Sequence, residues 1–257
     1  MTRNEVKIVD RDYLATLGNC GGYYSCPKDS HGQRLGPLVG YAGKYEGPGG
    51  QQLQFVGDIY ANFAKAEVKS DALQFFSGRL VGRLTGELGA SNIDVLCGAP
   101  IGGYALATAL GLQTGFDVIK AEKMITALKT STSREQSELV FSRHDVEKGD
   151  RCVIVEDVCN NFSTTGKFVK LINSRGGIVV AIACFLNRSP NVDREYCLSL
   201  EGEAKVLQIP VISLVRKVIN EWKQDDPAVA EDIAKGNVVW KPKDEWARLM
   251  EAMEQNK

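Results

Sequence analysis

From Ile93 to Val215 short apolar runs alternate with stretches whose apolar residues recur at helical spacing. The runs Ile93 to Cys97, Phe116 to Ala121, Cys152 to Val155, Ile178 to Leu186 and Lys205 to Val215 are rich in β-branched residues and read as buried strands. Between them, Tyr104 to Leu110 and the pattern Phe168, Val169, Leu171, Ile172 predict helices. Ahead of them, Val68, Ala72, Leu73, Phe76, Leu80, Val81, Leu84 and Leu88 predict an amphipathic helix over Ala66 to Leu88, with Gly89 as its C-cap. Arg79 and Arg83, one turn apart on its other face, read as solvated. Strands alternating with helices predict an α/β fold: a parallel sheet flanked by helices, with ligand loops at the C-terminal ends of the strands. Residues 1–65, with frequent Gly, Pro and Tyr, read as a small β-rich N-terminal subdomain of short strands and turns. The core spans residues 66–220, and a helix through Trp222 follows its last strand. Residues 221–257 form a C-terminal helical extension of two short helices, with Pro227 and Pro242 near their starts.

Composition narrows the partners. The chain has 257 residues, 44% hydrophobic and 25% charged, enough for one sizeable core with elaborations. Its 31 basic and 32 acidic residues leave a formal net charge of −1, which gives no bulk attraction to nucleic acid or an anionic membrane. No apolar run approaches a membrane span and the opening MTRNEVKIVDRDY has no signal-peptide core, so a cytoplasmic protein is expected. The cysteines, 7 in number, are scattered and read as small buried hydrophobes. Cys20 and Cys26 lack metal-ligand spacing, and with only His31 and His144 to complete a site no structural metal is expected.

The candidate chemistry concentrates in Arg151 to Gly166, RCVIVEDVCNNFSTTG. A strand delivers Glu156 and Asp157 to its C-terminal end, and a polar turn then opens a helix. Two adjacent acids favour an electropositive partner, either a hydrated divalent cation or the hydroxyls of a sugar. The hydroxyls and small Gly of the turn let a phosphate approach the unpaired N–H groups of the helix N-terminus. An isolated EDV would be no more than a helix N-cap with solvated carboxylates, but the combination is more specific.

That combination resembles the signature of the type I phosphoribosyltransferases, whose acids and TTG-type loop hold the ribose hydroxyls and 5-phosphate of phosphoribosyl pyrophosphate (PRPP). Glu156 and Asp157 match the acids. Thr164, Thr165 and Gly166 match the loop, with Ser163 and Lys167 beside them. The usual form runs from the acids through a short apolar link to the threonines, whereas this chain inserts residues around Asn160 to Ser163. Either the phosphate loop is enlarged, with Lys167 adding positive charge, or its geometry is turned to another ligand.

The resemblance extends over residues 66–215. The glycine-rich loop Ala99, Pro100, Ile101, Gly102, Gly103 falls where the family binds diphosphate, although Gly102 stands where orotate enzymes often carry Lys. Lys123 matches the basic residue ahead of the family's mobile loop, and Lys129 is a second candidate within it; both would neutralise the leaving diphosphate. Arg188 falls in register with an Arg that meets the carboxylate of orotate, for which a guanidinium is well shaped. The N-terminal subdomain corresponds to a hood over the base. Lys44, Tyr45, Phe55, Tyr60 and Phe63 are candidates for base contact there, though packing explains each aromatic more economically. The implied activity is PRPP-dependent phosphoribosyl transfer, with orotate as the favoured acceptor. Magnesium would be held mainly through PRPP rather than by protein side chains, the chain would form a homodimer, and its ligands would be PRPP and a nucleobase, with no nucleic acid and no membrane. The alternatives are transfer to another base and a non-catalytic PRPP-binding regulator.

Overall fold

The computed structural model describes residues 5–127, 136–189, 194–199 and 206–256. In chain order its elements are α1 (Tyr13–Asn19), β1 (Tyr23–Ser25), β2 (Leu38–Glu46), β3 (Gln52–Gly57), β4 (Ile59–Ala61), α2 (Ala64–Glu67), α3 (Ser70–Leu88), β5 (Val95–Gly98), α4 (Gly103–Thr114), β6 (Asp117–Lys120), β7 (Glu122–Ala127), β8 (Gln136–Val140), β9 (Arg151–Cys159), α5 (Ser163–Ser174), β10 (Ile178–Asn187), β11 (Glu195–Ser199), β12 (Val206–Arg216), α6 (Ala230–Ala234), β13 (Val238–Val239) and α7 (Trp246–Gln255). The chain divides into two compact units, one spanning Glu67–Val218 and the other joining Val6–Ala66 to the chain from Ile219 on.

The first unit is built on a 6-stranded sheet in the order β11-β12-β10-β9-β5-β6. β12, β10, β9, β5 and β6 run parallel, and β11 closes one edge antiparallel to β12. Side chains alternate across the sheet. Cys97, Cys152, Ile154, Ile182, Cys184 and Val211 share one core with Phe168, Val169 and Ile172 of α5. α3 and α4 pack together and against β5, β9, β10 and β12. There Phe76 of α3 meets Phe185 of β10 edge-on, with ring centroids 4.8 Å apart. A sheet covered on both faces needs apolar residues at nearly every position, which is why these strands appear in the sequence as unbroken runs. Phe76 is 0% exposed. Phe76→Ala is expected to cost about 3–5 kcal/mol, read as a lowered denaturant midpoint at unchanged slope.

Three local expectations are corrected. Arg83 is not simply solvated: its guanidinium donates to the carbonyl of Ser213 on β12. No helix runs through Trp222; residues 217–222 are irregular, and Trp222 exchanges backbone hydrogen bonds with Val56 at 2.9 and 3.0 Å. The β-branched run Val215, Val218 and Ile219 has little helix propensity to oppose that pairing. In the N-terminal stretch, α1 is a helix where strands and turns are expected, and Asp12 caps it by accepting the Ala15 N–H at 2.9 Å.

The second unit carries the sheet β13-β2-β3 and the antiparallel pair β1-β4. Leu38, Val56, Val229 and Val238 form its core, with Trp222, Ile233 and Trp240 packed on it. Arg34 donates to the Ala228 carbonyl at 2.7 Å and pairs with Asp232 at 3.1 Å. Trp246 of α7 donates its indole N–H to Gly21 O at 2.8 Å.

Candidate functional site

The site begins with an unequal pair of strand ends. β5 stops at Gly98, opposite Val155 of β9, while β9 continues to Cys159 alongside β10, with Cys184 opposite Glu156 and Asn187 opposite Cys159. Glu156 and Asp157 therefore lie beyond the end of one neighbour while the other still holds their backbone. β9 outruns the apolar stretch ending at Val155 because β10 pairs with it to the end. The two-residue period of a strand sends successive side chains to opposite faces. Glu156 thus continues the α5 face of Cys152 and Ile154, and Asp157 falls on the α4 face.

On that face Asp157 meets the glycine-rich loop. A Cβ added to Gly102 would lie 2.4 Å from the Asp157 carboxyl carbon. The Asp157 Oδ1 also accepts the Val158 N–H at 2.8 Å. The loop is tied down at both ends. Ala99 donates to Val155 O at 2.9 Å, and Gly103 donates back to Ala99 O at 3.0 Å. A Cβ on Gly103 would stand 2.0 Å from Val155 O, so only Gly lets α4 start this close to β9. Pro100 is buried, Ile101 is exposed, and the peptide between them is cis.

On the other face the turn after β9 opens α5. Phe162 is the N-cap residue in the left-handed conformation, with φ of 56°. Its carbonyl accepts the Gly166 N–H at 2.7 Å, and the Asn161 side chain accepts the Ser163 N–H at 3.1 Å. Ser163, Thr164 and Lys167 line a cavity of about 130 Å³ together with Lys123 and Leu139, which face each other across the β7–β8 pair. Two ammonium groups, two hydroxyls and a helix N-terminus converge there, an arrangement suited to an anion. Thr165 is buried, so Ser163, Thr164 and Lys167 are the side chains of the turn that face the cavity.

Burial sets the electrostatics of the acid pair. Glu156, 8% exposed, is pushed up to about 8, first by desolvation and then by the neighbouring Asp157 charge, with Lys123 pulling the other way. Near neutral pH it carries a proton unless a cation arrives.

Arg188 follows β10, half-buried, with its backbone N–H on Cys159 O at 2.8 Å, which ties it to the end of β9. A depression of about 430 Å³ beside it is lined by Asn160, Asn161, Phe162, Ser189, Glu195, Tyr196 and Cys197. Lys129 lies outside the described residues. Tyr45, Phe55, Tyr60 and Phe63 all pack within the second unit. Tyr45 and Phe55 stack at 4.8 Å, Tyr60 lies 6.0 Å from Trp246, and Phe63 is buried. The sequence reading missed Phe162 and Tyr196. A Phe gives no signal for a left-handed cap. The alternation of Tyr196 and Leu198 in EYCLS did carry a strand signal for β11. Among the described residues no group of three or more His, Cys, Asp or Glu could hold a metal, and no helix is long and apolar enough to cross a membrane.

No family model matches the chain. An orotate phosphoribosyltransferase of Thermococcus gammatolerans is 28% identical over 136 residues, covering 53% of this chain and 67% of that protein. The transcriptional regulator GfcR of Methanocella arvoryzae is 30% identical over 128 residues, 49% of this chain and 56% of that protein. An adenine phosphoribosyltransferase of Clostridium kluyveri is 25% identical over 142 residues, 53% of this chain and 77% of that protein. The chain thus spans from about half to about three quarters of the length of these relatives. The chain is an α/β protein with a parallel-rich sheet flanked by helices, its glycine-rich and hydroxyl-rich loops standing at the C-terminal ends of β5 and β9. In sequence it is similar, at low identity, to phosphoribosyltransferases for orotate and for adenine.

Proposed function

We propose that this chain is a PRPP-dependent phosphoribosyltransferase whose acceptor is orotate, yielding orotidine monophosphate and pyrophosphate. The observation that carries the reading is that buried Glu156, with Asp157 next to it, lies within electrostatic reach of Lys123, one of the two lysines lining the cavity at the start of α5. In this reading Ser163, Thr164 and Lys167 receive the 5-phosphate, aided by the backbone of Thr165 and Gly166, and the loop Ala99–Gly103 receives the diphosphate. Glu156 and Asp157 hold the ribose hydroxyls and stabilise the positive charge that develops on the ring as the bond to diphosphate lengthens. Lys123, joined by Lys129, attends the leaving group. Orotate is already an anionic nucleophile, so positioning and charge stabilisation carry most of the rate. Arg188 pairs with its carboxylate.

Magnesium fits this donor set as a hard cation bound through PRPP oxygens, with the carboxylates of Glu156 and Asp157 at hand, and it supplies neutralisation of the diphosphate charge. With a cation held nearby, the Glu156 carboxyl would fall back towards the ordinary range and give its proton to solvent, so binding of PRPP with magnesium near pH 7 is expected to release about one proton.

A second reading has its own support. The relative at 30% identity is named as a transcriptional regulator, and the residues inserted at Asn160 to Ser163 alter the phosphate turn. A regulator would bind PRPP without turning it over. The test is pyrophosphate release from PRPP with orotate, uracil, adenine, guanine or xanthine, with and without magnesium. Release that requires both orotate and magnesium is expected. Release with a different base overturns the acceptor, and PRPP binding without release under any condition favours the regulator.

A further inference from the structure

We infer that Tyr196, on the edge strand β11, is a positioning residue that holds the phosphate turn in shape; the inference rests on the reading of that turn as a 5-phosphate site. Three contacts carry it. The Tyr196 ring lies against the Phe162 ring with centroids 4.9 Å apart and planes tilted by 31°. Phe162 caps α5 at φ 56°, a conformation that costs a bulky residue free energy and persists only where packing holds it. The Phe162 carbonyl in turn accepts the Gly166 N–H at 2.7 Å, closing the first turn of α5. Tyr196 also meets that turn directly: a Cβ on Gly166 would lie 2.5 Å from the Tyr196 hydroxyl oxygen and 3.6 Å from the carbon bearing it.

Tyr196 itself is fixed by the sheet. It pairs opposite Ile209 of β12 and packs on the core shared with α5. A residue far along the chain thus sets the backbone path of Ser163 to Lys167 without lining their cavity, whose walls are Lys123, Leu139, Ser163, Thr164 and Lys167. The residues inserted at Asn160 to Ser163 thereby gain a structural reason. They carry Phe162 out to an aromatic partner, which holds a turn that a shorter link would hold by its own geometry.

The test titrates ribose 5-phosphate and, separately, pyrophosphate into the full chain. Tyr196→Ala is expected to weaken ribose 5-phosphate binding about tenfold or more, with pyrophosphate binding changed by less than about twofold. Gly166→Ala alone should weaken ribose 5-phosphate binding in the same way. Tyr196→Phe alone should bind it nearly as the wild type does. The pair Gly166→Ala with Tyr196→Phe should recover most of the affinity, because without the hydroxyl the added methyl meets only the ring carbon at an ordinary contact distance. This pair leaves the ring packing intact, so the result does not depend on whether Tyr196→Ala folds. The inference is overturned if the double variant binds as weakly as Gly166→Ala, or if a folded Tyr196→Ala loses both ligands equally or neither. Wild-type protein that binds no ribose 5-phosphate overturns the phosphate reading itself, and this inference with it.

Discussion

Glu156→Gln is expected to lower pyrophosphate release roughly 10²–10³-fold while making the ligand-free protein more stable, increasingly so as the pH rises. The two effects share one cause. Glu156 is buried beside Asp157 at the end of a sheet, and its carboxyl is raised from an ordinary 4.5 to about 8, by burial first and the Asp157 charge second. A raised carboxyl favours the folded state while it is protonated. That contribution is fully present below about pH 4.5 and is lost as the pH climbs through about 8. Glutamine keeps the shape of the protonated form and never ionises, so the variant escapes the loss. A tenfold change in proton affinity corresponds to about 1.4 kcal/mol, so the stability difference should reach a few kcal/mol near pH 9 and fade towards pH 4. The same neutral amide cannot answer the positive charge of the ribose ring, so catalysis falls as stability rises. Chemical denaturation across this pH range, beside steady-state rates, checks both halves. A variant less stable than wild type at pH 9 would show that the attraction of Lys123 outweighs burial and the Asp157 charge in the free protein.

Gly102→Ala should disable the site without unfolding the protein, whereas Gly103→Ala should unfold it. At Gly102 the new methyl would collide with the Asp157 carboxylate, whose oxygens lie 2.4 and 2.5 Å away. A carboxylate at the tip of a side chain can swing aside at little cost in stability, but it then leaves the position proposed for the ribose hydroxyls. A loss of about 10²-fold in kcat/KM with the melting temperature shifted by only a few degrees is the expected outcome. At Gly103 the obstacle is the Val155 carbonyl at 2.0 Å, a main-chain atom held by the Ala99 N–H. Neither strand nor helix can yield there, and a loss large enough to abolish cooperative folding follows. Melting curves and rates measured on both variants check the contrast. A Gly102→Ala protein of normal activity would remove Asp157 from the proposed chemistry.

The core was largely legible in the sequence because a sheet covered on both faces imposes continuous apolar strands. Cys152 to Val155 and Ile178 to Leu186 are strands for that reason. The acid pair and the glycine loop were legible as residue types. Their meeting was not, because the contact of Asp157 with Gly102 depends on β5 ending before β9 does, which no local pattern encodes. Lys123 illustrates the same limit. Its sequence position suggests the leaving group, and its fold position adds the cavity at the start of α5, created by pairing with Leu139. β11 was overlooked because it is a short edge strand with exposed alternate residues. The supposed helix through Trp222 failed because local helix propensity is weak there and the backbone is taken up by a long-range bridge to Val56.

The most direct measurement is calorimetric titration of the chain with PRPP in the presence and absence of magnesium. Saturable binding that tightens with magnesium and is lost together in Glu156→Gln and Asp157→Asn is the predicted result. No magnesium-assisted binding of PRPP, or binding indifferent to both substitutions, would contradict the claim that these two acids and the turn opening α5 grasp one phosphorylated pentose.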